Sequence, residues 1–496
     1  MKQIQKIALF ITGALIFGSC SNSDDRSDNL TPSTDVVVQD FVWKGLNSWY
    51  YWQKDIPLLA DNISKGNDYQ KLLSSNTADN LFYNLLYKQG DVDRFSWIVN
   101  DVDALLNSFS GISKSSGFDF TAYAKNNTTK DVVALVSYVI PNSPADKAGL
   151  KRGDVISAID GVTMTTDNYQ KLYNEQLSLT IVEKASVSDA GIKLEGTTKT
   201  VSMSAVVLEE NPVAFYKKLE YGGKKIGYLV YNGFQSNYND ELNAAFATMK
   251  ADGVTELVLD LRYNGGGSVA TSVALGQMIT GQHTGKPFVS LEFNEKHSRY
   301  SSTDNLLDKV AIFDYVNGQN QQTSTQAINS LGLNKVYVLT SRGTASASEL
   351  LISGLEPYIS VVTIGAETYG KFVGSITLFD DKNSDYTSYE NRNKTHKWAM
   401  QPITFAYFNG RKDPHPVKGI VPQNAINSYE YVGTMKEFGN PSDVALKKAL
   451  ELITGGPIGR MKVGDVTYPN ENKFVVPGKT LKPFATEVYI EGFKAK

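Results

Sequence analysis

Apolar residues in the first third of the chain recur at intervals of three and four, at Phe41, Trp43, Leu46, Trp49 and Tyr50 and again at Leu81, Phe82, Leu85 and Leu86. That period marks one face of an α-helix, so residues 37–112 are expected to form a small helical domain whose simplest role is to pack against a neighbour. From Gly117 to about Val207 short runs alternate in polarity, with Val132–Val136 the clearest, and a β-rich domain is expected over 113–208. Within it Ser143 suits a helix N-cap, Pro144 the first helical position, and Gly149 a left-handed closing residue. A second helix is expected after Thr166. From 212 to 432 strands alternate with helices: Ile226–Tyr231, an amphipathic stretch carrying Leu242, Ala245, Phe246 and Met249, then the apolar strand Leu257–Asp260. Such alternation implies parallel crossovers. The expected fold class is therefore multidomain α/β: a helical domain, a β-rich domain and an α/β domain on a mixed or parallel sheet. Residues 433–496 turn from helical to strand-like texture, as in Phe474–Val476 and Glu487–Ile490, and their pattern assigns them no role.

The amino terminus adds a location. Lys2 and Lys6 precede an apolar run, Ile7–Phe17, that is shorter than the roughly 20 residues needed to cross a bilayer, so 1–19 reads as a signal peptide. The run ends Phe17-Gly18-Ser19-Cys20, which resembles the lipobox of bacterial lipoproteins, where the thiol is lipidated. Cys20 is the only cysteine, which excludes an intrachain disulfide or a thiolate metal cluster. Residues 20–36 read as a flexible tether. Its acidic start, Ser21–Asp28, resembles the surface-export tether of lipoproteins from the Bacteroides and Flavobacterium group. The chain is thus expected in the cell envelope, attached by Cys20 to a bacterial membrane, the outer one by preference, with the face left open. Charge is nearly balanced, 49 Lys plus Arg against 52 Asp plus Glu, so no global field attracts nucleic acid.

The chemistry is narrowed first by absences. The four histidines lack metal-ligand spacing, and there is no His-Glu-x-x-His, Gly-x-Ser-x-Gly or phosphate-binding loop. No metal and no cofactor is expected. What remains is three turns, each following a strongly apolar strand: Asp260–Gly267, Thr340–Glu349 and Thr368–Lys371. Loops beyond the carboxyl ends of strands in an open α/β sheet gather in one crevice, so these turns are expected to meet. Ser346 then lies at a helix start and Lys371 beyond the next strand. A serine hydroxyl becomes a nucleophile when a base takes its proton, and a lysine can be that base where burial disfavours its charge. No acid stands nearer to Lys371 in sequence than Glu367. The Ala347 N–H, with an N–H of the glycine turn, is placed to stabilise an oxyanion. Glu349, Asp260 and Arg262 read as structural, through capping and ion pairing.

Two resemblances sharpen this. The stretch around Pro141–Leu150 and Lys151–Gly161 closely resembles a PDZ domain, with Ser116–Phe120 where that family has its carboxylate-binding loop. The resemblance implies that Gly117 and Phe118 capture a terminal carboxylate while Tyr169, Leu172 and Tyr173 line the side-chain pocket of an added peptide strand. The three turns, in order Asp-Leu-Arg-x-Asn-x-Gly-Gly, Ser-Ala-Ser-Glu and Thr-Tyr-Gly-Lys, resemble those of the tail-specific, or C-terminal processing, serine peptidases. That resemblance runs from about Val37 to Gln423. It implies Ser346 as nucleophile, Lys371 as general base, and Ala347 with Gly266 or Gly267 as oxyanion donors. Many members carry glutamine four residues beyond the lysine; here Ser375 stands there, as the possible third residue. The expected function is a serine endopeptidase acting on protein or peptide substrates after PDZ capture of a carboxyl-terminal segment. The alternative is a catalytically inactive, peptide-binding lipoprotein.

Overall fold

The computed structural model describes residues 34–66, 68–316, 318–413, 416–456, 474–481 and 486–495. Cys20 and the expected signal peptide lie outside them. Helix α1 (Thr34–Trp49) forms because Val38, Phe41, Val42, Leu46 and Trp49 fall on one face, and all five are buried. Helices Asp68–Ser74 and Ala78–Asn84 pack against it.

Next comes the PDZ sheet. Strand β1 (Phe118–Ala124) pairs antiparallel with Val132–Val139, and the sheet continues through Val155–Ile159, Gln176–Ser188 and Gly191–Ser204. Ser143 caps the short helix Pro144–Lys147 by accepting from Asp146 N, and Gly149 follows with φ +78°. The stretch expected as a helix after Thr166 is a 3₁₀ turn, Tyr169–Tyr173. Its three-residue repeat puts Tyr169 and Leu172 on the same side, and both are buried there.

The α/β domain is built on β2 (Lys224–Tyr231), β3 (Glu256–Asp260), β4 (Lys335–Thr340) and β5 (Ser360–Gly365), all parallel neighbours in that order. An antiparallel strand, Val213–Tyr221, flanks β2, and Asn424–Ala425 flanks β5. The strands are apolar on both faces because both faces are covered. Leu229, Leu257, Leu259 and Val338 share one core with helices α2 (Val269–Thr280) and α3 (Ala347–Leu355). Tyr228, Val230, Val258 and Leu339 share another with α4 (Val444–Thr454). The expected Asp260–Arg262 ion pair is present at 2.7 Å, and Arg262 also reaches Asp443 at 3.1 Å.

The carboxyl-terminal region reaches two distant places. Strand β7 (Val475–Pro477) adds antiparallel to the edge of β1. Strand β8 (Val488–Tyr489) lies between Gly267–Ser268 and β6 (Val373–Ser375), parallel to both.

Candidate active site

The three turns meet beyond the carboxyl ends of β3, β4 and β5, and buried hydrogen bonds join them. Asn264 is the hub of the glycine turn: its Nδ2 donates to Tyr231 O at 2.9 Å and its Oδ1 accepts from Gly266 N at 2.9 Å. Its carbonyl accepts from Ala345 N and from Ser348 Oγ, both at 3.1 Å, which ties the glycine turn to the serine turn. Ser348 therefore serves this junction.

Ser346 stands at the start of α3 with φ +63° and ψ −114°. A non-glycine residue there is strained by about 1–3 kcal/mol and persists only where its surroundings hold it. Here they do. The fully buried Glu349 carboxylate accepts Ser346 N at 2.8 Å and Lys371 N at 2.9 Å on one oxygen. Its other oxygen accepts Gly370 N at 2.7 Å and the Thr368 hydroxyl. Burial pushes this carboxyl above its usual range, against the downward pull of those four donors. From the opposite side the Tyr407 hydroxyl lies 3.0 Å from Ser346 O and 2.7 Å from Lys371 O. The backbones of Ser346 and Lys371 are thus clamped twice over. The Ser346 hydroxyl itself is buried and has no hydrogen-bond partner among the described residues.

Gly266 explains the glycine run. With φ +113°, a Cβ there would lie 2.7 Å from Ser346 Cβ, 3.0 Å from Ala347 N and 2.5 Å from Glu487 O. Only glycine lets the turn approach the serine this closely. Ser346, Ala347 and Gly266 are thus adjacent, and the Gly267 N–H donates to Glu487 O at 2.6 Å.

Lys371 is fully buried, and the N-terminal helical part reaches it: Phe95 places its ring 5.3 Å from Nζ, and Arg94 donates to Gly370 O at 3.0 Å. Although its sequence neighbourhood holds no close acid, its Nζ is paired with Glu487 Oε2 at 2.9 Å. Ser375 meets Glu487 as well, its Oγ 3.3 Å from the same oxygen, while Trp97 Nε1 donates to Oε1 at 2.7 Å. Glu487 is the residue that pattern reading missed. It lies 116 positions from Lys371 in the chain, just before the two-residue strand β8, in a stretch that carries no motif.

In the PDZ part, Gly117 has φ +85° and a Cβ there would lie 2.1 Å from Ser143 Cβ. Its N–H donates to Ser115 Oγ at 3.0 Å, and its carbonyl accepts from Ile140 N at 2.8 Å. Phe118, Tyr169 and Leu172 are buried in the PDZ core, and Tyr173 packs on Phe120 at 5.4 Å. The edge of β1 is taken by β7, and the Tyr169 ring meets Phe474 edge-on at 5.1 Å. A cavity of about 590 Å³, lined by Phe118, Tyr173, Lys479, Gly266 and Glu487 among others, links this edge to the glycine turn. Among the described residues no group of three or more His, Cys, Asp or Glu side chains gathers to hold a metal.

Comparison with known proteins places this geometry in context. The profile of Peptidase family S41 matches residues 225–401, that of the Peptidase S41 N-terminal domain residues 37–97, and that of a PDZ domain residues 135–183. Among solved structures, a putative S41 protease from Bacteroides fragilis is 25% identical with a TM-score of 0.65, over 87% of this chain and 99% of that one. A probable CtpA-like serine protease of Staphylococcus aureus is 25% identical over 335 residues, 64% of this chain and 58% of the relative. That of Staphylococcus haemolyticus is 25% identical over 315 residues, 63% of this chain and 54% of the relative. The chain thus spans less than two thirds of the length of the two staphylococcal relatives.

Proposed function

The chain belongs to peptidase family S41, and from that premise we propose that it is a serine endopeptidase in which Ser346 is the nucleophile and Lys371 the general base. The observation that carries this reading is the junction at Ser346. A strained, unpartnered hydroxyl stands at a helix start, beside Ala347 N and the glycine turn, and its backbone is clamped to that of a buried lysine by the same carboxylate.

The chemistry follows from those groups. Neutral Lys371 takes the Ser346 proton as Oγ attacks the substrate carbonyl, and the oxyanion forms against the N–H groups of Ala347 and Gly267. Lysine then returns the proton to the leaving amine, and an ester remains on Ser346. Water, deprotonated by the same lysine, hydrolyses it. Substrate reaches the site as an extended segment on the PDZ edge at β1, with a terminal carboxylate facing the Gly117–Phe118 loop. Cys20, lipidated, holds the enzyme on a membrane of the cell envelope. Membrane association that survives Cys20→Ala would refute the anchor.

A second reading, a peptide-binding protein without catalysis, is favoured by one observation: Lys371 is paired with Glu487 and not with Ser346. β-Casein digestion separates the two. We expect cleavage by the full chain, its loss by at least a thousand-fold in both Ser346→Ala and Lys371→Arg, and retention in Ser348→Ala. Arginine keeps the charge but cannot give up a proton. Wild-type rates in Ser346→Ala would sink the assignment.

A further inference from the structure

The carboxyl-terminal region follows the path that a substrate of this enzyme would take. At the PDZ part, Val475, Val476 and Pro477 pair with Tyr123, Ala122 and Thr121, antiparallel along β1. The run therefore heads toward the Gly117–Phe118 loop, as an added peptide strand would. Its Phe474 ring lies against Tyr169, on the turn that borders the edge. At the catalytic part, Val488 and Tyr489 pair with Gly267 and Ser268. The carbonyl just before them, that of Glu487, accepts the Gly267 N–H at 2.6 Å. That oxygen and Ser346 Cβ both lie within 2.7 Å of the point where a Gly266 Cβ would stand, so the carbonyl sits beside the nucleophile. The side chain of the same residue takes the base: its carboxylate lies 2.9 Å from Lys371 Nζ. An ammonium so paired has no lone pair with which to accept the serine proton.

From these two independent contacts we infer that residues 474–481 and 486–495 are a built-in ligand of the enzyme, which covers the PDZ edge and the oxyanion turn at once, and that substrates act only by displacing it. The inference rests on the reading of Ser346 and Lys371 as nucleophile and base. The residue that offers its carbonyl to the glycine turn also occupies the base, so the segment resists cleavage in this pose. The Glu487 carbonyl is held against the glycine turn beside Ser346, whose Oγ has no partner to deprotonate it. The rest of the segment is anchored by packing: Val488 and Tyr489 are buried, the Tyr489 ring stacks on Phe109 at 4.3 Å, and Phe493 meets Trp49 at 5.4 Å. Competition is therefore with a folded element. The PDZ edge, moreover, is filled by an internal stretch with no free carboxylate, so that edge accepts strands from within a chain as well as chain ends.

The test uses the full chain. In the Ser346→Ala protein, which cannot cut, amide exchange is followed at residues 475–477 and 487–489 with and without β-casein. Exchange at both sites is expected to rise at least ten-fold as casein takes the track. In a second variant, Glu487→Lys, two like charges meet at the base, and β-casein cleavage is expected to rise about ten-fold or more over wild type. The inference is overturned by exchange that does not change with β-casein up to its solubility limit, or, where the wild type cleaves β-casein, by a folded Glu487→Lys protein no faster than it. The exchange readout needs no catalysis, so it stands even if Glu487→Lys does not fold. Displacement of the segment in a chain with no proteolysis in any form would leave this inference standing and remove the peptidase reading.

Discussion

At the scale of single residues, the site depends on one carboxylate more than on any other structural group. Glu349 receives the backbone N–H groups of Ser346, Gly370 and Lys371 and the hydroxyl of Thr368, so the proposed nucleophile and base share one anchor. Glu349→Gln replaces one accepting oxygen by an amide NH₂, which then faces groups that can only donate or are placed to donate. A buried donor left without an acceptor costs about 1–3 kcal/mol. We expect a stability loss of roughly 2–4 kcal/mol in urea unfolding and a fall in kcat of at least a hundred-fold with KM within a few-fold of wild type. A variant with near-normal kcat would show that the anchor does not position the dyad. Ser346 and Lys371 were legible because each sits in a short motif whose residue types and order are distinctive. Glu487 was not, because only the fold brings a segment 116 positions away onto the lysine. Ser375, named from the sequence as a possible third residue, has its hydroxyl on the Glu487 carboxylate.

At the scale of elements, helix α4 is joined to the catalytic strands through its N-cap residue. Asp443 caps the helix by accepting Leu446 N at 3.2 Å, and its two oxygens also meet Arg262 at 3.1 Å and Arg152 at 3.3 Å, all of them buried. Arg262 comes from the turn after β3 and Arg152 from the PDZ part, so one side chain connects three units. Removing it deprives the helix of its cap, worth about 1 kcal/mol, and leaves Arg152 without its carboxylate, at about 3–5 kcal/mol for a broken buried pair. For Asp443→Ala we expect an unfolding free energy lower by about 4–6 kcal/mol, and a loss about 1 kcal/mol smaller in Asp443→Asn, which keeps the cap. Equal losses in the two would locate the effect in the broken charge pairs and not in the cap. The same scale shows what patterning can reach. Strands β2 to β5 and helix α1 declared themselves through period and length, since each buries a full face. The turn at Tyr169–Tyr173 is too short to show a helical period distinct from its three-residue repeat, and β7 and β8, three and two residues long, have no period at all. Their pairing is set by the edges they find.

At the scale of the whole molecule, the N-terminal helical part is fastened to the catalytic body at a point that should respond to pH. The Trp49 ring at the end of α1 stacks on His297 with centroids 3.5 Å apart and planes 3° from parallel. Ser48 Oγ lies 2.9 Å from His297 Nε2, and Asp385 Oδ2 is 3.4 Å from the same nitrogen. Burial pushes this histidine down to about 4, against the upward pull of Asp385. An unfolded chain returns it to about 6.5. Between those values the unfolded state binds the extra proton, so the contribution is fully present above about pH 6.5 and is lost as pH falls toward 4. Allowing for partial solvent screening, the loss is about 1–2 kcal/mol. Carboxylates titrate over part of the same window, so the useful quantity is a difference between proteins. His297→Phe keeps an aromatic ring against Trp49 and has nothing to titrate, and Ser48 Oγ retains Asp385 Oδ1 at 2.8 Å. Unfolding free energies of wild type and His297→Phe, measured at intervals from pH 7.5 to 4.5, should diverge progressively below pH 6.5, with the variant flatter by about 1–2 kcal/mol at the acid end. Parallel curves would show that the joint between the two parts carries no proton-linked strain, and that acid stability is set by the carboxylates alone.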